Sequence, residues 1–132
     1  MGDTRKVLGG KGEALAVTFL KKRGYKVIER NYRCPWGEID LIAREKDTLV
    51  FVEIKSRNSS EFGLPQDAVG PSKQRKIIQV AKAYMSEHHV QETIAARFDV
   101  VAIQLTSSRP KIELIKDAFH VDDYERCRHP LA

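Results

Sequence analysis

Apolar and polar residues alternate most regularly along two neighbouring runs of the chain, residues 38–44 and 48–56. Alternation with a period of two is typical of a β-strand that buries one face. The polar residues 45–47 separate the two runs, as expected for a tight turn between antiparallel strands. The pattern therefore predicts a β-hairpin.

A two-residue turn at 46–47 would set the register of this hairpin. It would place Asp40 opposite Glu53 and Glu38 opposite Lys55, at the end away from the turn. Residues that face each other across a strand pair project from the same side of the sheet. The hairpin would then present two carboxylates side by side, with a lysine next to them.

The same alternation assigns faces within the first run. Ile39, Leu41 and Ala43 are expected on one face, and Asp40 and Ile42 on the other. Charged side chains seldom enter apolar strands without a partner. Asp40 therefore needs a structural or functional explanation.

Other segments predict the rest of the fold. Residues 9–23 and Pro71 to about Glu87 show helical spacing of apolar residues, whereas 25–32, 97–105 and 111–119 are typical of strands. The order is helix, three strands, helix, two strands. This order favours an α/β fold in which helices flank a mixed central sheet.

Length and charge favour a single domain with a polyanionic partner. The 132 residues suffice for one domain, expected over 1–121, with 122–132 as a polar, flexible tail. A formal net charge of +5 favours a polyanionic partner such as nucleic acid. No apolar run approaches the roughly 18 residues that a membrane span needs, and the N-terminus lacks an apolar signal region. We therefore expect a cytoplasmic protein without membrane contact.

Two facing carboxylates repel each other unless a cation or a shared proton relieves the repulsion. Mg²⁺ or Mn²⁺ is the expected relief, because Mg²⁺ takes one or two carboxylates together with waters and phosphate oxygens. Lys55 would orient the attacking water or stabilise negative charge on the phosphate. The alternative without metal is a structural ion-pair ladder formed by Glu38, Asp40, Glu53 and Lys55.

An acid on one strand followed by Glu-x-Lys on the next resembles the PD-(D/E)XK nuclease superfamily. More narrowly, the chain resembles the YraN-like family of predicted endonucleases, which are related to Holliday junction resolvases. The matching positions are Gly9, Gly12, Glu13, Leu20, Gly24, Tyr25, 31–33, 37–42, 51–57, 73–84 and 97–103. The superfamily's proline is replaced by Ile39, and proline performs no metal chemistry.

The resemblance implies a restriction-endonuclease-like core and metal-dependent hydrolysis of phosphodiester bonds in DNA, with branched or junction DNA as one substrate class. It implies Asp40 and Glu53 as metal ligands, Lys55 as a catalytic residue and Glu13 on the first helix as a third carboxylate. Gln74 resembles a polar helix residue that assists the site. Related junction resolvases are dimers, so a homodimer is an option.

Basic residues supply the expected nucleic-acid contacts. The second helix begins with Lys73, Arg75 and Lys76, where the helix macrodipole favours acids instead. Rule violations of this kind concentrate at functional sites, although a solvated basic face is the alternative. Arg57 and Arg33 are further candidates for phosphate contacts.

Two assignments have alternatives that the sequence leaves open. Tyr32, Arg33 and Trp36 could contact nucleic acid, but an aromatic residue beside a turn more often covers the core. Asp99 could approach the site, but pairing with a buried base such as Arg97 is the favoured interpretation. For the whole chain, the alternative function is a nucleic-acid-binding module without catalytic turnover, or a structural protein that binds a partner.

Overall fold

The computed structural model describes residues 4–57, 69–105 and 109–120, and the predicted tail 122–132 lies outside these ranges. The elements are α1 (Thr4–Lys22), β1 (Lys26–Cys34), β2 (Gly37–Glu45), β3 (Thr48–Arg57), α2 (Pro71–Glu87), β4 (Ala96–Gln104) and β5 (Lys111–Phe119). Their order is the predicted one. In these ranges, no helix combines the length and the apolar character needed to cross a membrane.

The five strands form one mixed sheet in the order β1-β2-β3-β4-β5. Neighbouring strands are antiparallel except for β3 and β4, which are parallel. A parallel pair needs a long crossover connection, and α2 lies within the connection between β3 and β4. The predicted α/β fold with a mixed sheet flanked by helices is confirmed.

Helices cover both faces of this sheet. On β3, Phe51 belongs to a core cluster with α2 residues such as Ile78. Val50 and Val52 point the other way and belong to a second cluster with α1 residues such as Leu20. Burial on both faces explains why this strand is almost continuously apolar.

A close approach fixes α1 against β3. Gly12 is buried, and an added Cβ at this position would collide with the Oγ atom of Ser56. A larger residue would force the Ser56 side chain to move, so glycine permits the close approach. The helix begins at Thr4, earlier than the predicted residue 9. It continues through Gly9 and Gly10 although each glycine costs about 1 kcal/mol of helix propensity.

Asp99 forms the centre of a buried polar network on β4. Its side chain is fully buried and accepts hydrogen bonds from the Tyr25 hydroxyl (2.8 Å), Arg97 Nε (2.8 Å) and the backbone N–H of Asp117 (3.0 Å). Arg97 also contacts Glu45 at 2.8 Å, and its hydrogen bond to Asp99 raises the pKa of Arg97. The favoured structural role of Asp99 is confirmed.

We predict that Asp99→Ala destabilises the protein by about 3 kcal/mol, because it leaves the partly buried Arg97 and the Tyr25 hydroxyl without their shared acceptor. Urea denaturation followed by circular dichroism measures this change. Asp47→Asn, in the exposed β2–β3 turn, is the control. A loss similar to that of the control would contradict the structural role.

Candidate metal-binding site

The β2–β3 hairpin has the predicted register. Glu45 pairs with Thr48 across a turn formed by Lys46 and Asp47, and the paired positions continue to Leu41 and Val52. Lys46 has a positive φ of 54°, a conformation that suits the right-handed twist of hairpin strands. One position beyond Leu41 and Val52, the same register places Asp40 opposite Glu53.

Regular pairing stops at Asp40. Its Oδ2 atom accepts a hydrogen bond of 2.8 Å from the backbone N–H of Ile54. The Glu38 carboxylate forms an ion pair of 2.8 Å with Arg33 on β1. The predicted pairing of Glu38 with Lys55 is therefore wrong, because the ladder ends before it reaches these residues.

The predicted faces of β2 are also wrong at one position. Leu41 and Ala43 both pack in the α1 cluster, as their shared face predicts. Ile39 was expected on the same face, but it packs with Ile42 in the α2 cluster. The change of face coincides with Asp40, where the strand loses its regular partner. On β1, Arg30 pairs with Leu41 and Tyr32 pairs with Ile39. Asn31 lies between these two pairs, opposite Asp40, and has a positive φ of 53°.

Asp40 and Glu53 form a carboxylate pair that is largely withdrawn from water. Glu53 is 6% exposed and Asp40 is half-buried. Burial, followed by the negative charge of Glu53, raises the pKa of Asp40 to about 7, although the hydrogen bond from Ile54 opposes this shift. The pair therefore carries the repulsion that a cation or a proton would relieve.

Lys73, in the first turn of α2, contacts this pair directly. Its Nζ atom lies 2.6 Å from Glu53 Oε1, and its side chain is 47% exposed. Burial lowers the pKa of Lys73, but the hydrogen bond to Glu53 and the charge of Glu53 outweigh it, so the pKa is raised overall. The basic start of α2 thus serves as the counter-charge to a buried carboxylate.

Lys55 lies beside the pair and is half-buried. Burial, and then the positive charge of Lys73, lower the pKa of Lys55, while the charges of Glu53 and Asp40 oppose this shift. Within the described part of the chain, Lys55 has no carboxylate oxygen within 4 Å. Its ammonium is close to the carboxylates without being neutralised by either of them.

Glu13 contacts Asn31 on β1. Its two carboxylate oxygens lie 3.2 and 3.3 Å from the side-chain nitrogen of Asn31, which donates to them. Among residues 4–57, 69–105 and 109–120, no three His, Cys, Asp or Glu side chains converge on a point that could hold a metal. The structure therefore brings two carboxylates together, and a third does not join them.

The remaining predicted contact residues lie on several elements. Gln74 donates a hydrogen bond of 2.8 Å to the Val69 carbonyl oxygen, which fixes the segment that leads into α2. Arg75 and Lys76 are exposed on α2, whereas Arg57 at the end of β3 is half-buried. Arg33 lies at the end of β1, and its side chain is 78% exposed although it is paired with Glu38.

The residues present fit a Mg²⁺ or Mn²⁺ ion that takes few protein ligands. Asp40 and Glu53 offer adjacent anionic oxygens, and Mg²⁺ accepts one or two carboxylates with waters and phosphate oxygens completing the octahedron. The direct contact of Lys73 with Glu53 was not predicted, because sequence spacing places Lys73 on a helix but not over a particular strand. The contact of Asn31 with Glu13 was also missed, because it depends on how α1 packs against β1.

Comparisons with known proteins agree with the motifs. The model of the uncharacterised protein family UPF0102 matches residues 12–103. A UPF0102 protein of Geotalea daltonii is 54% identical over 118 residues, covering 89% of this chain and 92% of the relative. One from Syntrophus aciditrophicus is 50% identical over 113 residues, covering 86% and 88%.

Among solved structures, Pyrococcus furiosus SfsA in complex with Ca²⁺ is similar with a TM-score of 0.35 and 14% identity. The match covers 85% of this chain and 62% of that one.

The raised pKa of Asp40 predicts a pH-dependent stability of the metal-free protein. The folded chain keeps a proton that the unfolded chain releases between about pH 4 and pH 7, so this group makes the free energy of unfolding fall as pH rises through that window. Asp40→Asn removes the titrating group. Urea denaturation in a chelator should show the variant gaining stability relative to wild type from pH 4 to pH 7.

Groups such as Glu45, whose pKa is lowered chiefly by its hydrogen bond to Lys116, contribute with the opposite sign. They are present in both proteins and cancel in the difference. Asp47→Asn is the matched control and should keep a constant difference from wild type. A constant difference for Asp40→Asn as well would contradict the raised pKa.

Proposed function

The chain belongs to the uncharacterised protein family UPF0102, the YraN-like family that its motifs resemble, and we propose that it is a metal-dependent endonuclease that hydrolyses phosphodiester bonds in DNA. The observation that carries this proposal is the pairing of Asp40 with Glu53 on adjacent strands, with Lys55 beside them. Surface chemistry and charge alone would fit many proteins. A buried carboxylate pair next to a lysine on one sheet is far more restrictive.

Asp40 and Glu53 would hold Mg²⁺ or Mn²⁺, with substrate phosphate oxygens and water as further ligands. When bound, such an ion polarises a phosphoryl oxygen and lowers the pKa of a coordinated water. The hydrogen bond from Ile54 to Asp40 Oδ2 orients that carboxylate. Orientation by a backbone group limits the reorganisation needed when the ligands close on an ion.

Lys55 would act on the water or the phosphate. Burial keeps the pKa of Lys55 below the usual lysine value. This favours the neutral amine, the form that would accept a proton from the attacking water. In the charged form the same ammonium would stabilise negative charge that develops on the phosphate. Both roles need Lys55 beside the pair and not paired with it.

Lys73 contacts Glu53 Oε1 and places its positive charge beside the oxygen that would bind a cation, so it would compete with the metal. A substrate phosphate offers Lys73 an alternative anion. Phosphate binding and metal binding would then support each other, because the phosphate draws away the lysine that competes with the metal. Arg57, Arg75, Lys76 and Arg33 would hold the DNA backbone on either side, and Gln74 would keep the start of α2 in place.

A second candidate function is a nucleic-acid-binding module that keeps this architecture without turnover. The Lys73–Glu53 ion pair and the absence of a third carboxylate at the site among the described residues favour it. Such a protein would bind DNA in a salt-sensitive way, because phosphate contacts release counterions. It would give no product with any metal.

The proposal is tested with labelled duplex, single-stranded and four-way branched DNA in Mg²⁺ or Mn²⁺. We expect Glu53→Gln and Lys55→Ala to lower the cleavage rate at least about a hundredfold, a size typical for loss of a metal ligand or an acid–base group. Both should leave the fold intact by circular dichroism. Lys26→Ala, an exposed lysine at the start of β1, should cleave like wild type.

Cleavage at the wild-type rate by both site variants would mean that a contaminating nuclease produced the activity. Binding without cleavage of any of the three substrates by the wild type would favour the non-catalytic module. Comparing the three DNA forms also identifies whether branched DNA is preferred.

Competition by Lys73 predicts a gain of metal affinity on its removal. Without nucleic acid, Lys73→Met should bind Mn²⁺ about 1.5- to fivefold more tightly than wild type, the range expected for losing a half-exposed ion pair. Isothermal titration calorimetry measures the change. Lys76→Met, in the same part of α2 and exposed, is the control; weaker Mn²⁺ binding by Lys73→Met would contradict the competition.

A further inference from the structure

Trp36 is the one tryptophan of the chain, and its side chain is 59% exposed. Leaving such a large apolar surface in water is unfavourable. Tyr32, from the same segment, is 8% exposed and packs edge-on against Tyr84. An aromatic residue beside this turn was expected either to cover the core or to contact nucleic acid. Tyr32 covers the core, and Trp36 does not.

The short segment that carries Trp36 is anchored on both sides. Gly37 has a φ of 144°, which glycine tolerates best, and an added Cβ there would lie 3.4 Å from Val80 Cγ2 on α2. The Arg33–Glu38 ion pair closes the hairpin below the tip. Trp36 is therefore presented by a hairpin tip that packs against the second helix.

This tip lies at the same end of the sheet as the carboxylate pair. Trp36 precedes Asp40 by four residues, which corresponds to about 13 Å along a strand. Glu38 is close enough to Lys73 to raise the pKa of Lys73, and Lys73 in turn contacts Glu53. In stacked DNA, about 13 Å equals roughly four nucleotides of one strand.

On the basis of the proposed nuclease function, we propose that Trp36 stacks on an unpaired base of the DNA, within about four nucleotides of the phosphate held at Asp40 and Glu53. A base inside a regular duplex is already covered on both faces by its neighbours. A single-stranded or branched substrate offers an open base face for the indole. Arg33, exposed near the same tip, would contact the phosphate of that nucleotide.

This subsite selects a substrate class. Loss of base–aromatic stacking weakens binding of an unpaired strand by about 5- to 100-fold, and duplex DNA would lose none of it. We therefore expect Trp36→Ala to weaken binding of single-stranded and branched DNA by this factor and to leave duplex binding within about twofold. Trp36→Phe should recover part of the affinity, because a phenyl ring also stacks.

The single tryptophan makes the stacking directly visible. A Glu53→Gln background without metal prevents cleavage during titration. Fluorescently labelled single-stranded, branched and blunt duplex DNA is titrated while label anisotropy reports binding and tryptophan emission reports stacking. For single-stranded and branched DNA, we expect tryptophan emission to be quenched with the same midpoint as the rise in anisotropy. Blunt duplex DNA should quench the emission little.

Ile94→Ala removes an apolar side chain that is 41% exposed on the segment that precedes β4, and is the control with unchanged binding. Binding without quenching, together with unchanged affinity of Trp36→Ala, would overturn the stacking subsite and leave the proposed function standing. No binding of any DNA would overturn the proposed function and the subsite with it. An emission shift that follows protein concentration alone, with a dimer mass, would assign Trp36 to a contact between two copies of the chain.

Discussion

The repulsion between the carboxylates of Asp40 and Glu53 is the constraint on which the rest of the site depends. Three features relieve it in this structure: the backbone N–H of Ile54, the ammonium of Lys73 and a proton retained because the pKa of Asp40 is raised. Burial makes each relief necessary, since charge is costly in a poorly solvated environment. Two of them, the lysine and the proton, can be exchanged for a cation. The pair is thus stabilised by partners that an incoming metal ion can replace.

The fold holds this pair in place from both faces of the sheet. Gly12 lets α1 approach β3 closely, and the crossover through α2 brings Lys73 to Glu53. Asp99 ties β4 to the start of β1 through Tyr25 and Arg97. The core fills both faces of the sheet. The candidate site residues therefore lie at the end of the sheet where β2 stops pairing with β3. That end carries the carboxylates, Lys55 and the Trp36 tip.

The sequence predicts those features that depend on short-range periodicity. The register of the hairpin follows from alternation and a two-residue turn, and α2 begins at Pro71 and ends at Glu87 as predicted. Features set by the relative placement of elements were not predictable. Glu13 contacts Asn31 because α1 packs against β1, and Glu38 contacts Arg33 because β1 lies beside β2. The change of face at Ile39 was also not predictable. Strict alternation assumes continuous pairing with β3, and this pairing ends before Asp40.

Anomalous diffraction from crystals soaked in Mn²⁺ tests whether Asp40 and Glu53 bind a metal. We expect an anomalous peak within bonding distance of both carboxylates, with the Lys73 ammonium moved away from Glu53. An intact Lys73–Glu53 ion pair without any manganese peak between the carboxylates, at a saturating Mn²⁺ concentration, would contradict this expectation.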